Sequence, residues 1–156
     1  MHHMKIKGRG EKGFTMIEVL VALLILAIGL LGVVGVQALA MKSTTNSNVR
    51  SQVNLLAYDM VERIRANVPG VQAGAYDNIT ASKTLPGCGT SCTPTQMAAI
   101  DSNEWFSNLN STLPGFTSAS VKYASGVATI TINWSERDLG NDAVNQSYKL
   151  DARILQ

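Results

Sequence analysis

Hydrophobic and polar positions divide the chain into stretches of different period. From Val19 to Val36, 18 consecutive residues carry no charged or strongly polar side chain. As a helix at about 1.5 Å per residue, residues 14–36 span roughly 35 Å, enough to cross the hydrocarbon core of a bilayer. A buried core helix fits this stretch poorly, because a domain of this size has nothing large enough to surround it. Downstream, Val49, Val53, Leu56, Met60 and Ile64 recur at spacings of 4, 3, 4 and 4, which is one face of an amphipathic helix. Ser43, Thr45, Asn46, Ser47 and Asn48 are weak helix formers, yet no proline intervenes until Val68-Pro69-Gly70, which reads as a stop. The pattern predicts one helix of about 50 residues, roughly 80 Å long. Residues 14–41 would be its membrane half and residues 42–68 its amphipathic half.

Residues 70–94 are rich in Gly, Ser, Thr and Ala without a sustained period, and read as a loop with room for short strands. Residues 95–110 read as a helix capped by Thr95, with Met97, Ile100, Trp105 and Leu109 on its apolar face, ended by Leu113-Pro114-Gly115. The period then becomes two. Val121 and Tyr123, the turn Ser125-Gly126 and the run from Val127 to Trp134 form a hairpin pattern. After a second turn at Leu139-Gly140-Asn141-Asp142, the alternation of Tyr148, Leu150, Ala152 and Ile154 gives a third strand. The expected fold is α+β: a long N-terminal helix packed on a small antiparallel C-terminal sheet of about three to four strands, about 119–154, in a head of residues 69–156.

Charge sharpens this division. Of 156 residues only 15% are charged. Lys5, Lys7, Arg9 and Lys12 against Glu11 give residues 1–13 a net +3, and the remainder holds nine basic against ten acidic residues. A basic leader before a membrane-length helix places the N-terminus in the cytoplasm and the chain after about Met41 on the far side. No A-x-A-like cleavage site follows the apolar run, so that segment is expected to stay in the mature chain. The net −1 beyond the leader lacks the electrostatic footprint of a nucleic-acid binder, and no nucleic-acid partner is expected.

Candidate chemistry is sparse. His2 and His3 lie in the leader, so beyond it no histidine remains for a Ser-His-Asp or Cys-His arrangement or for the common zinc sites. Cys88 and Cys92, in Gly87-Cys88-Gly89-Thr90-Ser91-Cys92-Thr93-Pro94, supply two of the four ligands a zinc site needs. Outside the cytoplasm a small disulfide loop is the simplest reading, and in the cytosol two free thiols. Asp101 and Glu104 lie i, i+3 on one helix, a spacing more typical of a solvated surface or cap than of a glycosidase pair. Trp105 and Trp134 read as core. No metal, no cofactor and no enzymatic activity are expected.

Glu18 is the anomaly, a carboxylate in the first turn of a membrane helix, where an ionisable group costs about 2.5–3.5 kcal/mol near the bilayer centre and less toward an end. It could sit among headgroups as part of a plain anchor. A cut after Gly13 would instead give Phe14 a free ammonium four residues away, and a carboxylate on one chain could meet such an amine on another.

The ordered string Lys12-Gly13-Phe14-Thr15-Met16-Ile17-Glu18-Val19-Leu20-Val21-Ala22-Leu23 closely resembles the class III signal of type IV prepilins. The resemblance implies that a prepilin peptidase cleaves between Gly13 and Phe14 and methylates the Phe14 amine, and that Glu18 pairs with an N-terminus as the subunit enters a filament. It implies a single-pass inner-membrane protein with a periplasmic head before assembly and a surface filament after it. The implied partners are the major pilin, other minor pilins, the assembly platform and, at the tip, an adhesin. Glu62-Arg63-Ile64-Arg65, Ala98-Ala99-Ile100-Asp101 with Glu104-Trp105, Leu113-Pro114-Gly115, and Ile130-Thr131-Ile132-Asn133-Trp134 with Arg137-Asp138 resemble a subfamily of minor pilins, the type IV pilus modification proteins. These are expected to prime filament assembly and sit at or near the tip, in twitching motility and adhesion. A pseudopilin of a type II secretion system shares the leader and helix. Two departures stand out. Gly29, Gly32 and Gly35 replace the kinking proline of many major pilins, and the cysteine pair is too closely spaced for their long C-terminal disulfide loop.

Overall fold

The computed structural model describes residues 13–137 and 142–155. Residues 1–12 of the expected leader, Asp138, and Leu139, Gly140 and Asn141 of the expected turn lie outside the described residues. Helix α1 runs Met16–Ala66, 51 residues without interruption. Its polar stretch stays helical because hydroxyl groups bond back one turn: Thr45 Oγ1 donates to the Met41 carbonyl at 3.0 Å, Ser47 Oγ to Ser43 at 2.9 Å and Ser51 Oγ to Ser47 at 3.1 Å. Each hydroxyl is thereby satisfied without leaving the helix.

The contacts group into two units, Met1–Ala40 and Met41–Gln156. In the first, the apolar side chains from Phe14 to Leu39 stand exposed, and by length and composition the helix can cross a membrane. All buried core residues belong to the second unit, beginning at Val49.

In that second unit α1 buries Val49, Val53, Ala57, Met60, Val61 and Ile64, with Leu56 half-buried against the same core. The Val68-Pro69-Gly70 stop ends α1 but also starts another turn, α2 (Val68–Gln72), capped by the Asn67 side chain. Proline fits there because the first turn of a helix has no use for its missing N–H. Helix α3 (Pro94–Thr112) starts before the expected position: Thr93, not Thr95, is its N-cap, in a reciprocal capping box with Gln96 and with Pro94 in the first turn. Its buried face is Ala98, Asp101, Ser102, Trp105, Phe106 and Leu109. Met97, expected on that face, is exposed.

Strands β1 (Phe116–Ala124), β2 (Val127–Arg137) and β3 (Ala143–Arg153) form one antiparallel sheet in that order. Val121 opposes Ile130, which opposes Leu150, and Ala119, Ile132 and Tyr148 form the next row. The β1–β2 turn has φ of 51° at Ser125 and 81° at Gly126, the two-residue geometry that matches strand twist. Along β2, Ala128, Ile130, Ile132, Trp134 and Glu136 are buried in strict alternation. Gly115, with φ 78°, leads α3 into β1; a Cβ there would run into the Ser135 carbonyl. The loop after α2 contributes one antiparallel bridge, Ile79 to Val121.

The sheet and α3 grip α1 through side chains as well as through the core. Tyr148 Oη donates to Asn54 Oδ1 at 3.0 Å, Asn46 Nδ2 to the Arg137 carbonyl at 3.4 Å, and Trp105 Nε1 to the Leu56 carbonyl at 2.8 Å.

Candidate functional site

Gly13, Phe14 and Glu18, the residues expected from the sequence to take part in processing and assembly, stand together at the start of α1. Gly13, Phe14 and Thr15 are non-helical and exposed, and Phe14 is 83% exposed. The backbone between Gly13 and Phe14 is therefore outside any helical hydrogen bonding that a peptidase would have to disrupt. Thr15 then caps α1: its Oγ1 accepts from the Glu18 N–H at 3.3 Å, and its carbonyl accepts from Glu18 N–H at 3.1 Å and Val19 N–H at 3.4 Å. Thr15-Met16-Ile17-Glu18 thus has the S/T-x-x-E spacing of a capping box, with the carboxylate in the first turn, where the helix dipole favours a negative charge. Along the same half-helix, a Cβ added to Gly29, Gly32 or Gly35 would touch nothing among the described residues.

Cys88 and Cys92 are joined in a disulfide. Asp101 and Glu104 are not an isolated pair. Arg63 brings them together, its Nη1 lying 2.8 Å from Glu104 Oε2 and 3.3 Å from Asp101 Oδ1, while its Nε lies 3.0 Å from Asp59 Oδ2. Tyr76 Oη donates to Asp101 Oδ2 at 2.5 Å and accepts from Asn67 Nδ2 at 3.0 Å. Burial first, then donation to the Asp101 carboxylate, pushes the Tyr76 hydroxyl well above its ordinary range and keeps it a neutral donor. Burial opposes the charge on Arg63, but bonds from Glu104, Asp59 and Asp101 outweigh it and raise the guanidinium further. Asp101 is buried and Glu104 exposed, so the two carboxylates serve an ion-pair network joining α1 to α3. The spacing Ala98, Asp101, Trp105 is the signal that could have placed Asp101 inward.

A second pair went unread. Glu136, buried at the end of β2, accepts from Arg50 Nε at 3.0 Å and Nη2 at 2.9 Å, and from Trp134 Nε1 at 3.0 Å. The Arg50 guanidinium holds the Glu136 carboxyl below its usual range. Glu136 borders a cleft of about 580 Å³ lined also by Met41, Thr45, Val49, Pro114 and Ala143. Among the described residues no group of three His, Cys, Asp or Glu side chains is arranged to hold a metal ion.

Two family models match the chain. The one described as Type IV pilin Tt1218 matches residues 35–103, from the end of the apolar run into α3. The Prokaryotic N-terminal methylation motif matches residues 8–34, across the expected Gly13–Phe14 cleavage position and the exposed apolar half-helix. Neither a curated protein nor a solved structure matches it.

Proposed function

Since this chain is a type IV pilin-like protein, we propose that it is a minor pilin of the PilV type, which helps prime assembly of a type IV pilus and is incorporated at or near the tip. The chain's part in a pilus or pseudopilus follows from the family, as does assembly with other pilins and their machinery. The anchoring and filament-packing part of this reading is supported above all by one observation. The string Lys12 to Leu23, within the methylation-motif match, runs directly into a half-helix whose apolar side chains are exposed among the described residues. A segment of that kind serves first as a membrane anchor and then as a surface packed among like helices.

In this mechanism the leader stays cytoplasmic, a prepilin peptidase cuts the exposed bond between Gly13 and Phe14, and the new Phe14 amine is methylated. Glu18 then offers its carboxylate to an N-terminal amine as the helix moves from lipid into the filament. A charge pair in that medium is far less screened than in water, so it can guide docking. The PilV-like segments favour a pilus over a secretion pseudopilus. They include Ala98-Ala99-Ile100-Asp101 with Glu104-Trp105, and Ile130 to Trp134.

The deciding experiment is intact mass and N-terminal sequencing of the chain made with and without a co-expressed prepilin peptidase, followed by capture from detergent-solubilised membranes and sheared filaments. A product starting at methylated Phe14 only in the presence of the peptidase, co-purifying with other minor pilins, is expected. An uncut chain, or one cut after the apolar run, would overturn the processing scheme. A correctly cut chain that captures no minor pilin would overturn the minor-pilin role.

A further inference from the structure

We propose that the Cys88–Cys92 disulfide is a redox latch that sets the first turn of α3 and, through it, the tie between α3 and the end of α1. Gly87 and Thr93 flank the bonded cysteines on either side, and one side chain holds both of them. Gln96 Oε1 accepts from the Thr93 N–H at 2.8 Å while Gln96 Nε2 donates to the Gly87 carbonyl at 3.2 Å. One amide reaches two residues six positions apart because the bond between them folds the loop back, with the cysteine Cα atoms 4.9 Å apart.

The latch then passes inward along the chain. Thr93 is the N-cap of α3, and the carbonyl of the next residue, Pro94, accepts from Asn67 Nδ2 at 2.8 Å. The same Asn67 amide nitrogen donates to Tyr76 Oη, its Oδ1 caps α2 by accepting from the Gly70 N–H at 3.1 Å, and Tyr76 in turn holds Asp101 against Arg63. Loop, cap and the end of α1 are therefore linked by two sets of hydrogen bonds joined through the Thr93–Pro94 peptide. The cysteines are half-buried beneath exposed Gly89, Thr90 and Ser91, and Cys92 borders a cleft shared with Arg63, Asn67 and Asp101. A small dithiol can reach them.

In the reductive step a dithiol supplies two electrons and two protons. The Sγ–Sγ bond breaks, Cys88 and Cys92 become thiols, and the reductant becomes a disulfide. The loop then regains its freedom, Gly87 leaves Gln96, and Thr93 is no longer held at the cap angle. The latch is closed wherever the head meets an oxidant and open wherever thiols are kept reduced.

Hydrogen exchange on the full chain in detergent micelles, before and after reduction with dithiothreitol, tests this. Reduction should speed exchange at the amides of Gln96 and Met97 and in residues 70–75 by about five- to thirtyfold, the factor for losing a helix cap, with β2 amides unchanged. Gln96→Ala in the oxidised chain should reproduce the loosening, and reducing that variant should add little more. Equal exchange in both redox states would overturn the proposal. So would effects of reduction and Gln96→Ala that multiply as independent changes, or loss of protection throughout the sheet, which would make the bond a support of the whole head.

Discussion

At the scale of single residues, two carboxylates were placed in the chain for different reasons, and each can be separated from its alternative by a conservative change. Glu18 occupies the first turn of α1 with Thr15 capping it. Glutamine at that position keeps the side-chain length and the Thr-x-x-Gln spacing but not the charge. Glu18→Gln should therefore leave helix content and peptidase cleavage unchanged while lowering the amount of the chain found in filaments as much as Glu18→Ala does. Quantitative blotting of sheared filaments against the membrane fraction measures this. Normal incorporation of Glu18→Gln would remove the Glu18 charge from filament assembly. Glu136 is a structural case. Its bonds from Arg50 lower its pKa in the folded chain below the ordinary 4.5, so it adds stability that is fully present above that value and is lost as pH falls through the folded pKa. Glu136→Gln should melt below the parent chain near neutral pH, and the gap should close in acid; thermal melts across that range test the sign. Arg50 is mostly exposed, which limits the size of the gap through solvent screening.

At the scale of elements, the α3–β1 junction and the α1–α3 contact carry the sharpest expectations. Gly115 combines a positive φ with close approach to the Ser135 carbonyl. Gly115→Ala should cost about 1–3 kcal/mol in chemical denaturation, from the strained dihedral and the contact together. Trp105 is fully buried and donates to the Leu56 carbonyl. Trp105→Ala should cost about 3–5 kcal/mol, and Trp105→Phe less, since it keeps most of the volume but leaves that carbonyl without its side-chain donor. The elements themselves were largely legible, because period is a strong signal in long segments. The face of Val49, Val53, Leu56, Met60 and Ile64 is the face that packs, and the alternation along β2 and β3 is the alternation of burial. Ala57 and Val61 escaped because small or offset residues do not stand out from spacing alone. The start of α3 was misplaced because Pro94 looks like the end of a loop, when proline is equally suited to the first turn of a helix and Thr93 before it to the extended cap conformation. The Arg63, Asp101, Tyr76 and Asn67 network was illegible for a different reason. Its members are up to 38 residues apart, and only the fold brings them into contact.

At the scale of the molecule, the sequence's abrupt change of composition near residue 40 corresponds to a physical boundary. Every buried core residue lies between Val49 and Trp134, and the contacts divide at Ala40 and Met41. Among the described residues no core side chain precedes Val49, so the core that drives folding is drawn from the second unit. What the half-helix before that boundary does contribute is a row of exposed Leu, Ile and Val side chains, which in water promote aggregation and in lipid hold the chain in place. A fragment beginning at Met41 should therefore be soluble and monomeric without detergent, with a cooperative melt and helix and strand signals in circular dichroism, while the full chain should need detergent. The amphipathic part of α1 remains in that fragment, and its core face is held by the sheet and α3. Size-exclusion chromatography and thermal melts of the fragment decide the matter. A fragment that aggregates or melts without cooperativity would show that the head depends on the apolar half-helix after all, and would tie folding of the head to the membrane.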